Sequence, residues 1–234
     1  MESLFKSVGF EYEYYDEMID FYKKYFLHTD NMFVFFIKVF KNDKTNKTPR
    51  RMMNQVQRFV SLANDIERIR PGKDDLILMF IRICLESLCN LSKENKSTFF
   101  DNYPCFFSQD GCKYILENFK LTEVNKSDDQ DYNCFRSNNH SCDISLNDFF
   151  LLIKSVRNQV VHDGVYGSMQ FFSRTGYPLI TTYTTTDSII NNCPYKNKCW
   201  TYTFETTLNY DRFIYYFVEA CINYIGYYID TLMI

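Results

Sequence analysis

The sequence lacks any apolar run long enough to cross a bilayer, which argues against an integral membrane protein. The most apolar stretches, residues 32–40 and 76–85, are interrupted by Lys38 and Arg82. Both fall well short of the roughly 20 residues that span the hydrocarbon core as a helix. We therefore expect these stretches to lie in a protein core, and we expect no membrane partner.

An excess of positive charge is also lacking. Lysine and arginine number 26 against 29 aspartates and glutamates, so the formal net charge is -3. No global positive field would draw in a polyanion, and a nucleic acid would have to meet a local basic patch. The first residues also lack the basic region, apolar region and cleavage site of a secretory signal. We therefore expect a cytoplasmic protein.

The nine cysteines form no paired framework of the kind that indicates disulfides. An odd, scattered set in a cytoplasmic protein is typical of reduced, half-buried thiols. The alternative is zinc, because Cys134, His140 and Cys142 lie close together and Cys193 and Cys199 flank a turn. No known zinc-ligand spacing occurs in these segments, so the sequence predicts no metal site and no cofactor.

Apolar residues instead recur at spacings of three and four, which indicates helices. At 234 residues with 46% hydrophobic content, the chain can bury a full core, and we expect residues 1–234 to form one domain. The segment 32–40 fits a short strand as well as a buried helix. The segments predicted as helices are 10–27, 50–70, 74–88, 111–119, 145–163 and 211–234.

The remaining regular structure is predicted to be a small sheet. Residues 169–173, 179–186 and 198–207 are rich in Phe, Tyr, Thr and Ile and are separated by turn sequences. Apart from the helix at 111–119, we expect loops over residues 93–143. The predicted fold is therefore mainly α, an up-and-down helical bundle with a small antiparallel β insertion at about 169–207.

One stretch carries residues suited to chemistry, the run Ser-Val-Arg-Asn-Gln-Val-Val-His-Asp-Gly at residues 155–164. Its helix is predicted to start at a capping box formed by Ser145 and Asp148 and to end at Gly164. At 100° per residue, His162 lies about 140° around the helix from Arg157, which sits at the edge of the core stripe. A single site for both side chains therefore requires an arginine that bends around the helix or a second subunit.

Glu86 is the predicted partner of Arg157. It lies next to the buried stripe of its own helix, where a carboxylate needs a cationic partner unless an edge position lets it reach water. Pairing with Glu86 would leave some nitrogens of Arg157 available to an anion. The plainer alternative is that the helix dipole stabilises His162, while Arg157 is a surface cation whose stem covers apolar surface.

Arg157, Asn158 and His162 together resemble the motif of the HEPN superfamily, in which a polar residue follows an arginine and a histidine lies four to six positions beyond it. The resemblance implies a four- or five-helix bundle that dimerises through the motif-bearing helices. For many members it also implies a metal-independent endoribonuclease in toxin–antitoxin, antiphage or RNA-processing systems, so it predicts an RNA substrate, a homodimer and an antitoxin protein as partners.

The resemblance also implies roles for individual residues. Arg157 would hold the scissile phosphate, His162 would transfer the proton of the 2′-hydroxyl or of the leaving oxygen, and Asn158 would orient one of them. We add Glu86 as a fourth candidate site residue. Cleavage by this mechanism would leave a 2′,3′-cyclic phosphate on the upstream RNA fragment. The alternatives are a HEPN-like bundle that binds a protein or a nucleotide without catalysis, and an unrelated helical protein in which the motif is a coincidence.

The polar segment 41–51 is the candidate RNA-binding patch. We expect a solvated loop there, because charge runs are usually solvated. The functional alternative is a patch that contacts phosphates. Its residues would be Lys44, Lys47, Arg50 and Arg51.

Overall fold

Helices dominate the fold of this chain, as the sequence predicts. A computed structural model describes residues 15–41, 43, 45–126, 144–164, 169–172, 179–185 and 200–232. Short 3-10 helices follow the first and fifth α-helices, and π turns at Gln159–Asp163 and Tyr228–Leu232 follow the last two. Within those ranges the α-helices are α1 Tyr15–Tyr22, α2 Thr29–Lys41, α3 Thr48–Ile69, α4 Asp74–Ser92, α5 Lys96–Asn102, α6 Gln109–Asn118, α7 Leu146–Asn158 and α8 Tyr210–Tyr227.

The predicted helical bundle is confirmed, and its centre is the pair formed by α3 and α4. A short turn at Pro71 and Gly72 joins the two helices, and Gly72 adopts φ +84, which favours glycine. α4 also packs against α7, and α3 also packs against α8. Apolar side chains of all four helices are fully buried between them. Examples are Val56, Ile81, Phe149 and Phe217.

The ambiguous segment 32–40 is helical and belongs to α2. Its buried residues are Met32, Phe35, Phe36, Val39 and Phe40, which recur at spacings of three and one. Val34 on the opposite face is 65% exposed. One buried and one open face is the pattern of a helix on the surface of a core, so packing decided what composition left open. No described helix is both long and apolar enough to cross a membrane.

A three-stranded antiparallel sheet packs beside the helices, with strand order β1-β3-β2. The strands are β1 Phe119–Lys126, β2 Leu179–Thr185 and β3 Trp200–Thr206. β2 and β3 confirm the predicted β insertion. The expectation of loops over residues 93–143 was wrong at α5 and at β1. The strand β1 is created by pairing with a partner far along the chain. Phe119 lies opposite Thr206, and the Phe119 ring stacks on Phe204 at 4.9 Å between centroids.

The strand expected at 169–173 was also wrong over its described residues, 169–172. Met169 and Phe171 are buried, which explains the alternating pattern. Their backbone N–H groups, however, donate to side-chain carboxylates at the start of α4 rather than to a neighbouring strand. The Met169 N–H donates to Asp75 Oδ1 at 3.0 Å, and the Phe171 N–H donates to Asp74 Oδ2.

Both ends of the motif-bearing helix α7 are defined as predicted. Asp148 N–H donates to Ser145 Oγ at 3.2 Å, and Ser145 N–H donates to Asp148 Oδ2 at 2.9 Å, which completes the capping box. Gly164 ends the helix in the left-handed region with φ +63. The last turn before Gly164 is a π turn rather than α-helical.

Asp74 is a buried carboxylate whose ionisation opposes folding. Burial raises its pKa to about 7, and the negative charge of Asp75 adds to the rise, while the hydrogen bond from Phe171 N–H lowers it. A pKa above the unfolded value means that the folded chain binds the Asp74 proton more tightly. The stabilisation from this group is therefore fully present below about pH 4 and is lost as the pH rises through about 7.

We predict that Asp74→Asn flattens this pH dependence. The amide cannot ionise, yet its oxygen can still accept the Phe171 N–H. Between pH 5 and pH 8, the free energy of unfolding of the variant should fall by roughly 2–3 kcal/mol less than that of the wild type. Urea unfolding at each pH measures this, with Asp65→Asn as an exposed control. Identical pH slopes for the wild type and Asp74→Asn would contradict the assignment.

Candidate functional site

The packing of α4 against α7 brings together Arg82, Glu86 and Arg157, which we call the arginine–glutamate cluster. Arg82 and Glu86 lie one turn apart on α4, and Arg82 Nε donates to Glu86 Oε1 at 3.2 Å. Arg157 reaches across from the end of α7, where its Nη2 lies 3.7 Å from Glu86 Oε2. One carboxylate therefore lies between two guanidinium groups.

The cluster is largely withdrawn from water. The side chains of Arg82, Glu86 and Arg157 are 4%, 21% and 27% exposed. Burial lowers the pKa of Arg82, the Glu86 carboxylate opposes that change, and the charge of Arg157 adds to it. The Arg82 guanidinium also lies 3.6 Å from the centroid of the Phe100 ring. With two cations and one anion, the cluster holds one unbalanced positive charge in a partly buried place.

The hydrogen bonding of Arg157 is incomplete. Its Nη1 donates to Asn158 Oδ1 at 3.1 Å, whereas its Nε is buried without a hydrogen-bond partner among the described residues. The buried Oε1 of Gln159 has no such partner there either. A buried polar group without a partner costs about 1–3 kcal/mol, so such groups in a folded protein call for an explanation.

His162 is exposed on the π turn and makes no hydrogen bond or ion pair with any residue that the structure describes. In a π turn, residues five apart are joined by hydrogen bonds, as Gly164 N–H is to the Gln159 carbonyl. Each residue therefore rotates the chain less than in an α-helix. The separation of about 140° from Arg157 assumed an uninterrupted α-helix, which the π turn at Gln159–Asp163 interrupts.

These placements suit the binding and cleavage of an anion. A guanidinium presents a planar fork of N–H donors that matches phosphate oxygens. Histidine is the side chain that most often transfers protons in catalysis. Glu86 and Asn158 hold the arginine, while His162 is left open to solvent at the end of the same helix.

The four residues of the candidate RNA-binding patch differ in their surroundings, with Lys47 just before α3 and Arg50 and Arg51 in its first turn. Lys44 lies outside the described residues. The Lys47 and Arg51 side chains are exposed and form no ion pair within the described part of the chain. Arg50 instead donates from Nε to Asp43 Oδ1 at 2.8 Å, and the Asp43 side chain is only 5% exposed. Arg50 therefore ties the start of α3 to Asp43. Of the described patch residues, Lys47 and Arg51 are the ones whose side chains could contact a phosphate.

The residues of the zinc alternative all lie outside the described ranges. Within those ranges, no group of three or more His, Cys, Asp or Glu side chains is placed to hold a metal ion. The described cysteines form no disulfide. They are Cys84, Cys89, Cys105, Cys112 and Cys221.

Arg82 is the member of the cluster that sequence reasoning missed, because it stood out only as an interruption of an apolar run. The spacing between Arg82 and Glu86 in the sequence could have identified it. Arg82 and Glu86 are four residues apart, the separation at which opposite charges meet on one helix face. The closeness of Arg82 to Arg157, by contrast, depends on how α4 and α7 pack.

Comparison of the chain with protein-family models, with curated protein sequences and with solved structures finds no match. The HEPN resemblance therefore stays a hypothesis that rests on Arg157, Asn158 and His162 and on the geometry around them.

We predict that Glu86→Gln lowers the free energy of unfolding by about 2–3 kcal/mol, because it leaves the buried Arg82 cation without a carboxylate. Asp65→Asn is the matched control, since it removes the same charge from a pair with Arg68 whose side chains are 78% and 54% exposed. The control should cost less than about 1 kcal/mol. Urea unfolding of both variants measures the difference, and equal effects would mean that solvent screens the Glu86 carboxylate.

Proposed function

We propose that the protein is a metal-independent endoribonuclease whose active site contains Arg157, Asn158 and His162. The observation that supports the proposal most is the unbalanced positive charge of the arginine–glutamate cluster, with an exposed histidine five residues after Arg157 along the chain. A buried cation is stabilised by an anionic partner, and a phosphodiester of RNA would supply one. Within the described residues, Glu86 is the carboxylate that pairs with the two arginines.

In this proposal Arg157 binds the scissile phosphate. Negative charge grows on the phosphate oxygens as the transition state forms, so a guanidinium held in place beforehand lowers the barrier. Glu86 and Asn158 act as positioning residues, because each contacts a different nitrogen of Arg157 and so limits the orientations of its fork. Arg82 holds Glu86 from the other side.

His162 transfers the protons. The ribose 2′-oxygen attacks phosphorus and loses its proton to a base, while the bond from phosphorus to the 5′-oxygen breaks and that oxygen gains a proton. An imidazole can accept the first proton in its neutral form and donate the second in its charged form. The products are a 2′,3′-cyclic phosphate and a 5′-hydroxyl, and the step consumes no metal ion, cofactor or oxidant.

The proposal includes a homodimer. Val161, directly before His162, is 49% exposed although it is apolar. In a two-fold dimer the same patch faces its own copy, so pairing through the ends of α7 would cover this residue on both subunits and bring two motifs together. By the same resemblance, the enzyme would be a toxin or an antiphage component restrained by an antitoxin protein.

We predict that the purified protein cleaves RNA in the presence of EDTA and that Arg157→Ala or His162→Ala lowers the rate at least about 100-fold. Arg157→Lys keeps the charge but not the fork, so its rate should lie between those of the wild type and Arg157→Ala. Arg68→Ala, which removes an arginine that is 78% exposed on α3, is the control and should leave the rate unchanged.

Analysis of fragment ends completes this experiment, because the mechanism requires a 2′,3′-cyclic phosphate. Cleavage that persists in either alanine variant would remove these residues from the mechanism. Arg157-dependent binding of RNA without cleavage would instead favour the non-catalytic binding module.

A subunit-mixing experiment tests whether the site is shared between two subunits. If Arg157 of one subunit works with His162 of the other, a dimer of one Arg157→Ala and one His162→Ala chain contains one intact site. After random exchange, such a mixture should recover about a quarter of the wild-type rate. If both residues act within one subunit, the mixture should stay as inactive as either variant alone.

A further inference from the structure

A cleft lies between α4, α5 and α7, and Arg157, Asn158 and His162 are not among the described residues that line it. Its volume is about 440 Å³, within the range of sites that bind small molecules. Arg82 reaches it from α4, the residues of α5 form one wall, and one face of α7 forms the other. Neither the HEPN resemblance nor the proposed ribonuclease assigns a role to this cleft.

Arg82 provides a buried cation in the cleft wall. Its side chain is 4% exposed, and its hydrogen bond within the described residues runs from Nε to Glu86. The two terminal amino groups, Nη1 and Nη2, make no hydrogen bond with those residues. The Phe100 ring covers a face of the planar guanidinium at 3.6 Å, which limits its orientations and leaves its N–H groups available to a ligand.

Two lysines add to this charge. Lys96 and Lys154 both line the cleft, and both are exposed and form no ion pair in the described part of the chain. Asp101 is the one carboxylate among the described lining residues, and it accepts a hydrogen bond from Ser97 Oγ at 3.3 Å. Because Glu86 already pairs with Arg82, the three cations meet two carboxylates, and an excess of one positive charge remains for an anion.

The rest of the lining is largely apolar. Phe100, Phe150 and Leu151 form a hydrophobic surface beside the cations. A bare anion would leave that surface in water, whereas a ligand with a ring would cover it. A phosphomonoester fits the charged part, because it carries about -1.5 to -2 charges at pH 7 and presents three acceptor oxygens.

We propose that this cleft binds a phosphomonoester attached to a planar ring. Arg82, Lys96 and Lys154 hold the phosphate, and the ring covers the apolar surface. A free aryl or nucleoside monophosphate and the 5′-phosphate end of a nucleic acid strand both present this chemistry. The proposal does not depend on ribonuclease activity, because Arg82 is the one cleft residue that enters the cleavage proposal, and there it only positions Glu86.

Isothermal titration calorimetry with phenyl phosphate tests the proposal. The full chain should bind it with one-to-one stoichiometry and at least about tenfold more tightly than inorganic phosphate, because the ring is removed from water. Affinity should rise between pH 5 and pH 7, since the second phosphate proton is lost near pH 6. No saturable binding below about 10 mM, or equal affinity for inorganic phosphate, would overturn the proposal.

A double variant identifies the site without touching the buried Arg82. Lys96→Gln with Lys154→Gln should weaken binding of phenyl phosphate at least about tenfold, because two charge-assisted contacts are lost. Lys113→Gln with Lys120→Gln changes the net charge equally at exposed positions outside the cleft lining and should bind as the wild type does. If both double variants bind phenyl phosphate equally weakly, the loss of affinity comes from the lower net charge of the protein and not from the cleft. That result would overturn the proposal.

Two further ligands distinguish a free small molecule from the 5′-phosphate end of a nucleic acid strand. Adenosine 5′-monophosphate represents the free small molecule, and a dinucleotide with a 5′-phosphate represents a strand end. Binding of the dinucleotide at least as tightly as the monophosphate, and only when it is phosphorylated, supports a strand end, whereas binding of the monophosphate alone supports a free ligand. His162→Ala should bind both like the wild type, so failure of the ribonuclease proposal leaves this result interpretable.

Discussion

The carboxylate of Glu86, placed between Arg82 and Arg157, is the interaction on which the chemical part of this structure depends. Without it, the Arg82 guanidinium would be a buried cation with no anionic partner, at 4% exposure. The same carboxylate joins the middle of α4 to the end of α7 and orients one arginine on each helix. It binds one part of each guanidinium and leaves other N–H groups available. Each of the two proposed anion sites therefore contains one arginine that is paired with Glu86.

The chain around His162 is held at several points. The capping box at Ser145 sets the start of α7, and Gly164 sets its end. Beyond Gly164, the buried carboxylates of Asp74 and Asp75 bind the backbone at Phe171 and Met169. The π turn lies between these fixed points. π turns are often found at functional sites, because the wider turn re-aims side chains that an α-helix would direct elsewhere.

The sequence-based predictions failed where the structure of a segment depends on a partner far away in the sequence. β1 exists because residues 119–126 pair with residues 200–206, and nothing within the segment itself requires a strand. The alternating apolar pattern at Met169 and Phe171 predicts a strand, because both side chains are buried. The same pattern arises when the backbone N–H groups bind carboxylates instead of a neighbouring strand. The angle of about 140° between Arg157 and His162 stays a prediction for a continuous α-helix, because the turn at Gln159–Asp163 is a π turn.

The sequence by itself determined the helices other than α2, which it left open, and α5, where it predicted a loop. It also determined the cap at Ser145, the stop at Gly164 and the choice of Arg157, Asn158 and His162 as candidates. These features depend on periodicity and on contacts between residues only a few positions apart. Only the tertiary structure decided that Arg82 and Arg157 share Glu86, and that α4, α5 and α7 enclose a cleft lined by Lys96 and Lys154. The physical reason is that charge balance and desolvation depend on which surfaces meet, and that is set by packing between helices far apart in the chain.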